Sequence, residues 1–403
     1  MATISNLEDK KITTVTVNDI KLEESLQREG NNAVVTIPVQ NNAEVVVGQL
    51  NGQSIKNMEI QEAVLEIKTE NIKYTLPASQ INIDGVSTQI GKEIQLKDIA
   101  VNVKVAESPQ EIVNIVENTS RKNNYQVVIK PVNFNITCTN GDKTVEVSKF
   151  NGYVERMVAV PEGVDPQKIT TGIILNSDGS FSHVPTTITV INNKYYVKIN
   201  SLTNSTYSVI WNPKNFKDVE GHWAKEVIND VGSRLVIDGV EENIFEPDKD
   251  ISRGEYVETV VRSLGLMCLG AGKDIFNDVK TDSRYCDAVY IAYKYGIITG
   301  YGNGNFGPED KITREQAMTM IANAMSITKL KVDLKSEDIE DVIKVFSDSE
   351  KCSNWAKEYI VKCIKTGIVC GKDNMMLAPK DNITRAEAAV IARGLLQKSK
   401  LIN

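Results

Sequence analysis

Histidine is scarce in this 403-residue chain, which holds only His183 and His222. So few imidazoles leave little room for histidine-based catalysis or a histidine-rich zinc site. Cationic excess is missing too: 46 Lys and Arg against 53 Asp and Glu give a net charge of −7. That balance argues against nucleic acid as a partner, because phosphate backbones are held by a basic field. A polyanion of any kind could be held only by local cationic pockets. No stretch of about 20 apolar residues occurs, so no segment is expected to insert in a membrane. The opening residues Met1–Asn6 lack a basic region followed by an apolar run, so no signal peptide is read there. Six cysteines are present without a CxxC pair, which points to buried free thiols rather than a zinc site or a disulfide framework. G-x-S-x-G, H-E-x-x-H, a phosphate-binding loop and a Cys–His pairing are all absent. The expectation is a non-enzyme with no metal and no cofactor.

Hydrophobic and charged contents of 41% and 25% are those of ordinary folded domains. The length suits roughly two to four of them. Residues 1–212 are rich in short Val/Ile/Thr/Tyr runs between turn residues, such as 33–38, 44–47, 63–67, 126–129, 143–147, 195–199 and 205–210. Helices are expected at Lys21–Arg28 and at Pro109–Asn118, the second capped by Ser108 with Glu111 three residues on. Two β-sandwich-like domains are predicted, 1–120 and 121–212, with a seam near Ser120–Tyr125. Acidic residues are scattered there rather than paired, which favours a spacer or assembly role.

Beyond Trp211-Asn212-Pro213, helical periodicity takes over and the chain repeats itself three times over residues 213–403. The copies span about 216–270, 276–330 and 346–399. They open on Phe216-Lys217-Asp218, Phe276-Asn277-Asp278 and Phe346-Ser347-Asp348. An amphipathic helix follows in each, at Trp223–Leu235, Arg284–Tyr295 and Trp355–Thr366. A turn then carries a shared glycine, Gly239, Gly300 or Gly371, and leads to Phe245-Glu246-Pro247, Phe306-Gly307-Pro308 or Leu377-Ala378-Pro379.

Six residues after each proline stands an arginine: Ser252-Arg253-Gly254-Glu255, Thr313-Arg314-Glu315-Gln316 and Thr384-Arg385-Ala386-Glu387. Ser or Thr followed three residues later by Glu or Gln is a capping box, so a second helix begins at each arginine. A helix start offers free N–H groups and the positive end of the helix dipole, and a guanidinium adds a fork suited to a carboxylate. Taken singly, such a motif is commonly only a cap and its arginine only solvated. Three copies at one offset point to a shared structure and propose three equivalent anion sites.

These residues closely resemble the S-layer homology module of bacterial surface proteins. Its pattern runs Phe-x-Asp, an aromatic-led helix, a Gly-Ile-x-x-Gly turn, Phe-x-Pro and Thr-Arg-Ala-Glu. Copy two, with Tyr295-Gly296-Ile297-Ile298-Thr299-Gly300-Tyr301-Gly302 and Ile312-Thr313-Arg314-Glu315, is a near-complete match. The resemblance implies an all-α pseudo-threefold fold in which one helix per copy meets in a central three-helix bundle. It implies grooves that bind a secondary cell wall polysaccharide, typically pyruvylated, and a location at the wall of a Gram-positive cell, with self-association in a surface layer also open. Arg253, Arg314 and Arg385 should then face the pyruvyl carboxylate. Asp218, Asp278 and Asp348 should lie at the groove, bonding sugar or backbone, and Gly239, Gly300 and Gly371 should let the backbone approach the saccharide.

The copies differ. Trp223 and Trp355 lead the first helix of copies one and three, where sugar stacking and helix packing both stay open, while copy two has Arg284. The turn reads Tyr301-Gly302 in copy two, Lys372-Asp373 in copy three and Val240-Glu241-Glu242 in copy one. Taken copy by copy, the acidic turn makes copy one the poorest anion site and copy two the best, so Arg314→Ala is expected to cost more wall binding than Arg253→Ala. Wall anchoring is the leading reading. The alternative is an anchor and spacer belonging to a larger cell-wall-attached enzyme such as a polysaccharide hydrolase, of which this chain would be the C-terminal piece. A third reading makes the β-rich half a binding module for a host or matrix partner.

Overall fold

Branched and aromatic residues alternate with polar ones through the first half of the chain, and among the described residues fifteen strands form where they do. The computed structural model describes residues 2–7, 10–41, 43–91, 93–176, 178–266 and 272–403. Cys268 and the end of the first repeat, 267–270, lie outside these residues. The strands are β1 (Ala2–Leu7), β2 (Lys10–Thr16), β3 (Val34–Pro38), β4 (Val45–Asn51), β5 (Val64–Lys68), β6 (Ile72–Pro77), β7 (Ala100–Glu107) and β8 (Gln126–Asn140). They continue as β9 (Lys143–Glu146), β10 (Lys149–Ala159), β11 (Thr171–Leu175), β12 (Phe181–Val184), β13 (Thr186–Ile191), β14 (Lys194–Thr203) and β15 (Thr206–Trp211). Helices α1 (Asp19–Glu29), α2 (Gly52–Ile60), α3 (Ile83–Ile90) and α4 (Gln110–Lys122) interrupt them.

Among the described residues, one sheet runs β1-β2-β4-β7-β8-β15-β11-β12 with β9 beside β8, and the other runs β13-β14-β10-β6-β5-β3. Their facing side chains form a shared core. Gly48 of β4 has no room for a Cβ, which would stand 2.8 Å from Ile37 Cδ1 of the other sheet. Tyr74 of β6 meets Phe134 of β8 edge to face at 5.0 Å.

Two separate β domains divided near residue 120 are therefore not what forms. β7 pairs with β8 and β6 with β10 across that point, and the chain up to Trp211 clusters as one unit, apart from residues 183–185. The predicted seam falls at the end of α4. The reason is hydrogen-bond geometry: β8, between β7 and β15, and β10, between β6 and β14, are central strands whose edges are filled only by partners from both halves. The expected cap also differs. Pro109 precedes α4 without a side-chain cap bond, and Ser108 Oγ is buried with no partner.

The second unit is helical: α5 (Lys225–Ser233), α6 (Arg253–Ser263), α7 (Cys286–Lys294), α8 (Arg314–Thr328), α9 (Ser336–Ile343), α10 (Lys357–Lys365) and α11 (Arg385–Lys398). Each repeat supplies a first helix (α5, α7, α10) and a second (α6, α8, α11), while α9 fills the longer link before copy three. Each second helix packs on the first helix of the next copy in cyclic order: α6 on α7, α8 on α10, α11 on α5. The second helices also touch one another pairwise, and Tyr256 of α6 donates a buried hydrogen bond to Ala317 O of α8 at 3.2 Å. Short bridges close the cycle, Ser252 with Lys311, Thr313 with Asn382 and Asp250 with Thr384. No described helix is long and apolar enough to cross a membrane. The cysteines Cys138, Cys286, Cys352 and Cys363 are buried free thiols and Cys370 is an exposed one. Burial pushes the Cys138 and Cys363 thiols up to about 12.

Candidate functional site

The capping motif starts each second helix as the sequence implies. Ser252, Thr313 and Thr384 accept from the backbone N–H of Glu255, Gln316 and Glu387. The boxes at Thr313 and Thr384 are complete, with Gln316 and Glu387 accepting from the cap N–H in return.

The first N–H groups of these helices are not open to an anion. Arg253 N–H donates to Asp310 O, Arg314 N–H to Asp381 O and Arg385 N–H to Lys249 O, each at 2.9 Å. The next N–H in each helix is bonded in the same way, to Pro308 O, Pro379 O and Pro247 O. Each copy thus caps the helix of the copy before it, and the orphan donors of a helix start are used inside the protein. Only the guanidinium is left for a ligand.

Each arginine also reaches into the next copy. Arg253 Nε donates to Phe306 O at 3.0 Å, Arg314 Nε to Leu377 O at 2.9 Å and Arg385 Nε to Phe245 O at 2.8 Å. All three side chains are buried, at 4%, 5% and 2% exposure. The aspartates grip the same residue from its other side. Asp278 accepts from Phe306 N–H and Gly307 N–H, Asp348 from Leu377 N–H and Ala378 N–H, and Asp218 from Phe245 N–H and Glu246 N–H. Arginine and aspartate of successive copies therefore fix one peptide segment between them. Two carboxylate oxygens that each take a backbone N–H act as braces, and these aspartates bond backbone rather than opening onto the grooves described below.

Asp278 gives this brace a pH signature. Burial raises its carboxyl, but the N–H bonds from Phe306 and Gly307 and the nearby Arg253 charge outweigh that and hold it below the ordinary 3.8. A depressed folded value stabilises the fold above the unfolded value and is lost as pH falls through the folded one. Acid unfolding of the native chain should steepen below about pH 4. Asp278→Asn should flatten that limb in a pH series of urea midpoints, and an unchanged slope would remove Asp278 from the account.

The shared glycines are required by packing, and each also lines a groove. A Cβ on Gly300, at φ +74°, would stand 2.5 Å from Phe276 Cε1. Gly239 and Gly371 likewise face the ring of their own Phe-x-Asp, Phe216 and Phe346. Gly302 has φ +82° and open space around it.

Three grooves result, each built from three copies. The first holds Arg253, the Gly300-Tyr301 turn, Gln316 of α8 and Trp355, in about 460 Å³. The second holds Arg314, the Gly371-Lys372 turn, Glu387 of α11 and Trp223, in about 710 Å³. The third holds Arg385, the Gly239-Val240 turn, Glu255 of α6 and Arg284, in about 270 Å³. The sequence reading found the arginines, the glycine turns and the tryptophans but grouped them by copy. In the fold an arginine serves the turn of the following copy, so the acidic turn of copy one lies with Arg385 and Tyr301 lies with Arg253. The ranking that made Arg253 the poorest site loses its premise.

Trp223 and Trp355 are 68% and 53% exposed, so helix packing does not account for them and their rings face the groove mouths. Tyr301 stacks under Arg253, ring centre 4.4 Å from Cζ, and donates to Asp310 Oδ2 at 2.9 Å. Lys372 Nζ lies 3.1 Å from Glu387. Arg284 pairs with Glu258 at 3.4 Å, which makes the third groove narrow and ionic. The sequence reading missed Gln316, Glu387, Glu255 and Arg284 as groove residues. The signal was present: the last residue of the capping motif faces the arginine of the previous copy.

Comparison with known proteins agrees with the repeat. The model of the S-layer homology domain matches residues 215–257, 275–318 and 345–389. An amylopullulanase of Thermoanaerobacterium thermosulfurigenes is 30% identical over 334 residues, 83% of this chain and 16% of that protein. That match is longer than the helical unit and so includes much of the β-rich half. An exoglucanase of Acetivibrio thermocellus is 37% identical over 198 residues, 49% of this chain and 18% of that protein. A surface-layer 125 kDa protein of Lysinibacillus sphaericus is 29% identical over 181 residues, 44% of this chain and 14% of that protein. The chain spans less than a fifth of the length of each of these relatives. Residues 215–389 of this chain are three tandem S-layer homology domains.

Proposed function

We propose that the helical unit holds this chain on a bacterial cell wall by seating an acidic, pyruvate-bearing secondary wall polysaccharide in the grooves between repeats. S-layer homology domains anchor proteins to the cell wall, and they place this chain at the cell surface. The finer reading is supported above all by one observation: the Arg253 and Arg314 grooves each put a guanidinium beside an exposed tryptophan, a surface matched to a carboxylated sugar. The cyclic packing of α6, α8 and α11 supports a pseudo-threefold arrangement with these helices as its central bundle. Catalysis is not assigned to this anchor, and the β-rich unit is read as displayed material or a lattice spacer.

The second reading, an anchor and spacer belonging to a wall-attached polysaccharide hydrolase, is favoured by the amylopullulanase match extending into the β-rich half. Co-sedimentation of the chain with purified Gram-positive walls tests the anchoring. Binding should appear with native walls and fall at least about tenfold, the effect of losing one charge-assisted contact, after the ketal pyruvate is removed by mild acid. Binding indifferent to that treatment would point to a neutral epitope, and no binding to any wall would sink the anchoring itself.

A further inference from the structure

The three arginines are equivalent in the repeat but not in their company. Arg314 lies 3.2 Å from Glu387 and donates to Cys370 O at 2.9 Å. Arg385 pairs with Glu255 and donates to Asp238 O at 2.6 Å. At the matching place opposite Arg253 the side chain is Gln316, which is neutral. Beyond its bond to Phe306 O, the Arg253 guanidinium makes no hydrogen bond or ion pair among the described residues. Among the described residues it is also the one charged residue lining its groove, whose other walls include Tyr301, Thr319, Asn323, Trp355 and Tyr359. The carboxylates it senses, Asp310 and Asp278, are engaged by the Tyr301 hydroxyl and by the backbone N–H groups of Phe306 and Gly307.

A guanidinium that is largely desolvated and has no carboxylate is costly to keep, and an incoming carboxylate removes that cost. A guanidinium already paired must break an internal bond to take the same ligand. We infer that the Arg253 groove is the chain's carboxylate-sugar site, and that Glu387 and Glu255 act as built-in carboxylates that occupy Arg314 and Arg385. Residue 316 is thus a selectivity position: glutamine opens the groove to an anionic sugar and glutamate closes it. This rests on the wall-anchoring reading and narrows it to one groove, with Trp355 and Tyr301 as the stacking walls.

The position can be exchanged without losing the cap, because Gln and Glu both accept from the cap N–H, as Gln316 and Glu387 do. The probe is a methyl hexoside carrying a 4,6-pyruvate ketal, with its carboxyl methyl ester as the neutral control, titrated calorimetrically into the full chain. The native chain should bind the acid with a stoichiometry near one and the ester at least about tenfold more weakly. Gln316→Glu should weaken the acid at least about tenfold. Glu387→Gln, which frees Arg314, should raise the stoichiometry toward two. A ligand-free readout stands beside these: Gln316→Glu should raise the urea midpoint, since it gives Arg253 the partner that Arg314 already has. A native stoichiometry near three, or Gln316→Glu that neither weakens the sugar nor raises the midpoint, would overturn the one-groove assignment while leaving wall anchoring intact. Absence of wall binding by the native chain would instead remove the anchoring reading on which it stands.

Discussion

Arg385→Ala should lower the unfolding free energy of the helical unit by about 4 kcal/mol. Arg385 is 2% exposed and joins the last repeat to the first. Its guanidinium donates to Phe245 O at 2.8 Å and to Asp238 O at 2.6 Å, and it pairs with Glu255. Alanine leaves two carbonyls without donors and a carboxylate without its cation, and such orphaned groups cost more than the bonds gain. Arg253→Ala is the comparison. It removes one bond, to Phe306 O, and relieves an unpaired buried charge, so its loss should be about 2 kcal/mol or less. Urea unfolding followed by the helical signal at 222 nm separates the two. Equal losses would mean that the carboxylate opposite Arg385 contributes nothing. The double variant Arg385→Ala with Glu255→Gln should recover part of the loss, because it also removes the stranded charge. The same numbers guard the wall-binding assays: a loss of binding in Arg385→Ala reports folding first, whereas one in Arg253→Ala reports the ligand.

That contrast shows where the sequence was legible. Repeated spacing exposed the three copies, and capping boxes located the starts of α8 and α11 to the residue, because local chemistry decides a helix start. The strands followed from branched-residue runs for a similar reason. Helices α2 and α3 were missed. Asn51 and Asn82 cap them, accepting from Ser54 N–H and Gly85 N–H, but α2 then opens on the poor helix former Gly52 and the Asn82 cap is left-handed at φ 47°, so in helices this short the cap signal was not recognised. Strand partnership was out of reach, since β15 pairs with β8 and β11, and β10 with β6 and β14, choices made by the core rather than by neighbours in the chain. The site divides in the same way. Arg253, Arg314 and Arg385 were visible, but each acts on the copy after its own, and no spacing within one repeat says so. Gln316 looked like a capping residue because its local role is that of a cap. Its second role, opposite Arg253, exists only once two copies are joined.

In the β-rich unit the largest effect should come from Arg156. Replacement by alanine should cost about 4 kcal/mol or more, adding a cavity to three stranded acceptors. Arg156 stands on β10 with no exposed surface and no ion-pair partner among the described residues. Its guanidinium donates to Val154 O at 2.9 Å, Thr203 O at 2.6 Å and Asn204 Oδ1 at 2.8 Å. It lies over the rings of Tyr207 at 4.6 Å, Tyr74 at 5.2 Å and Phe134 at 5.3 Å. Ring faces and carbonyl oxygens together supply the negative potential that a carboxylate would otherwise provide. The arrangement also joins the sheets, since Tyr74 and Arg156 stand on one and Phe134 and Tyr207 on the other. Burial pushes the Tyr74 hydroxyl up to about 12, a rise the Arg156 charge opposes. Arg156→Met separates volume from charge. Methionine fills most of the space but leaves the three acceptors and the ring faces without a cation, so it should recover only part of the loss. The near-ultraviolet tyrosine signal during urea unfolding reads this core directly. A methionine variant as stable as the native chain would show that the rings need only a filled space, and that the buried cation is not what ties one sheet to the other.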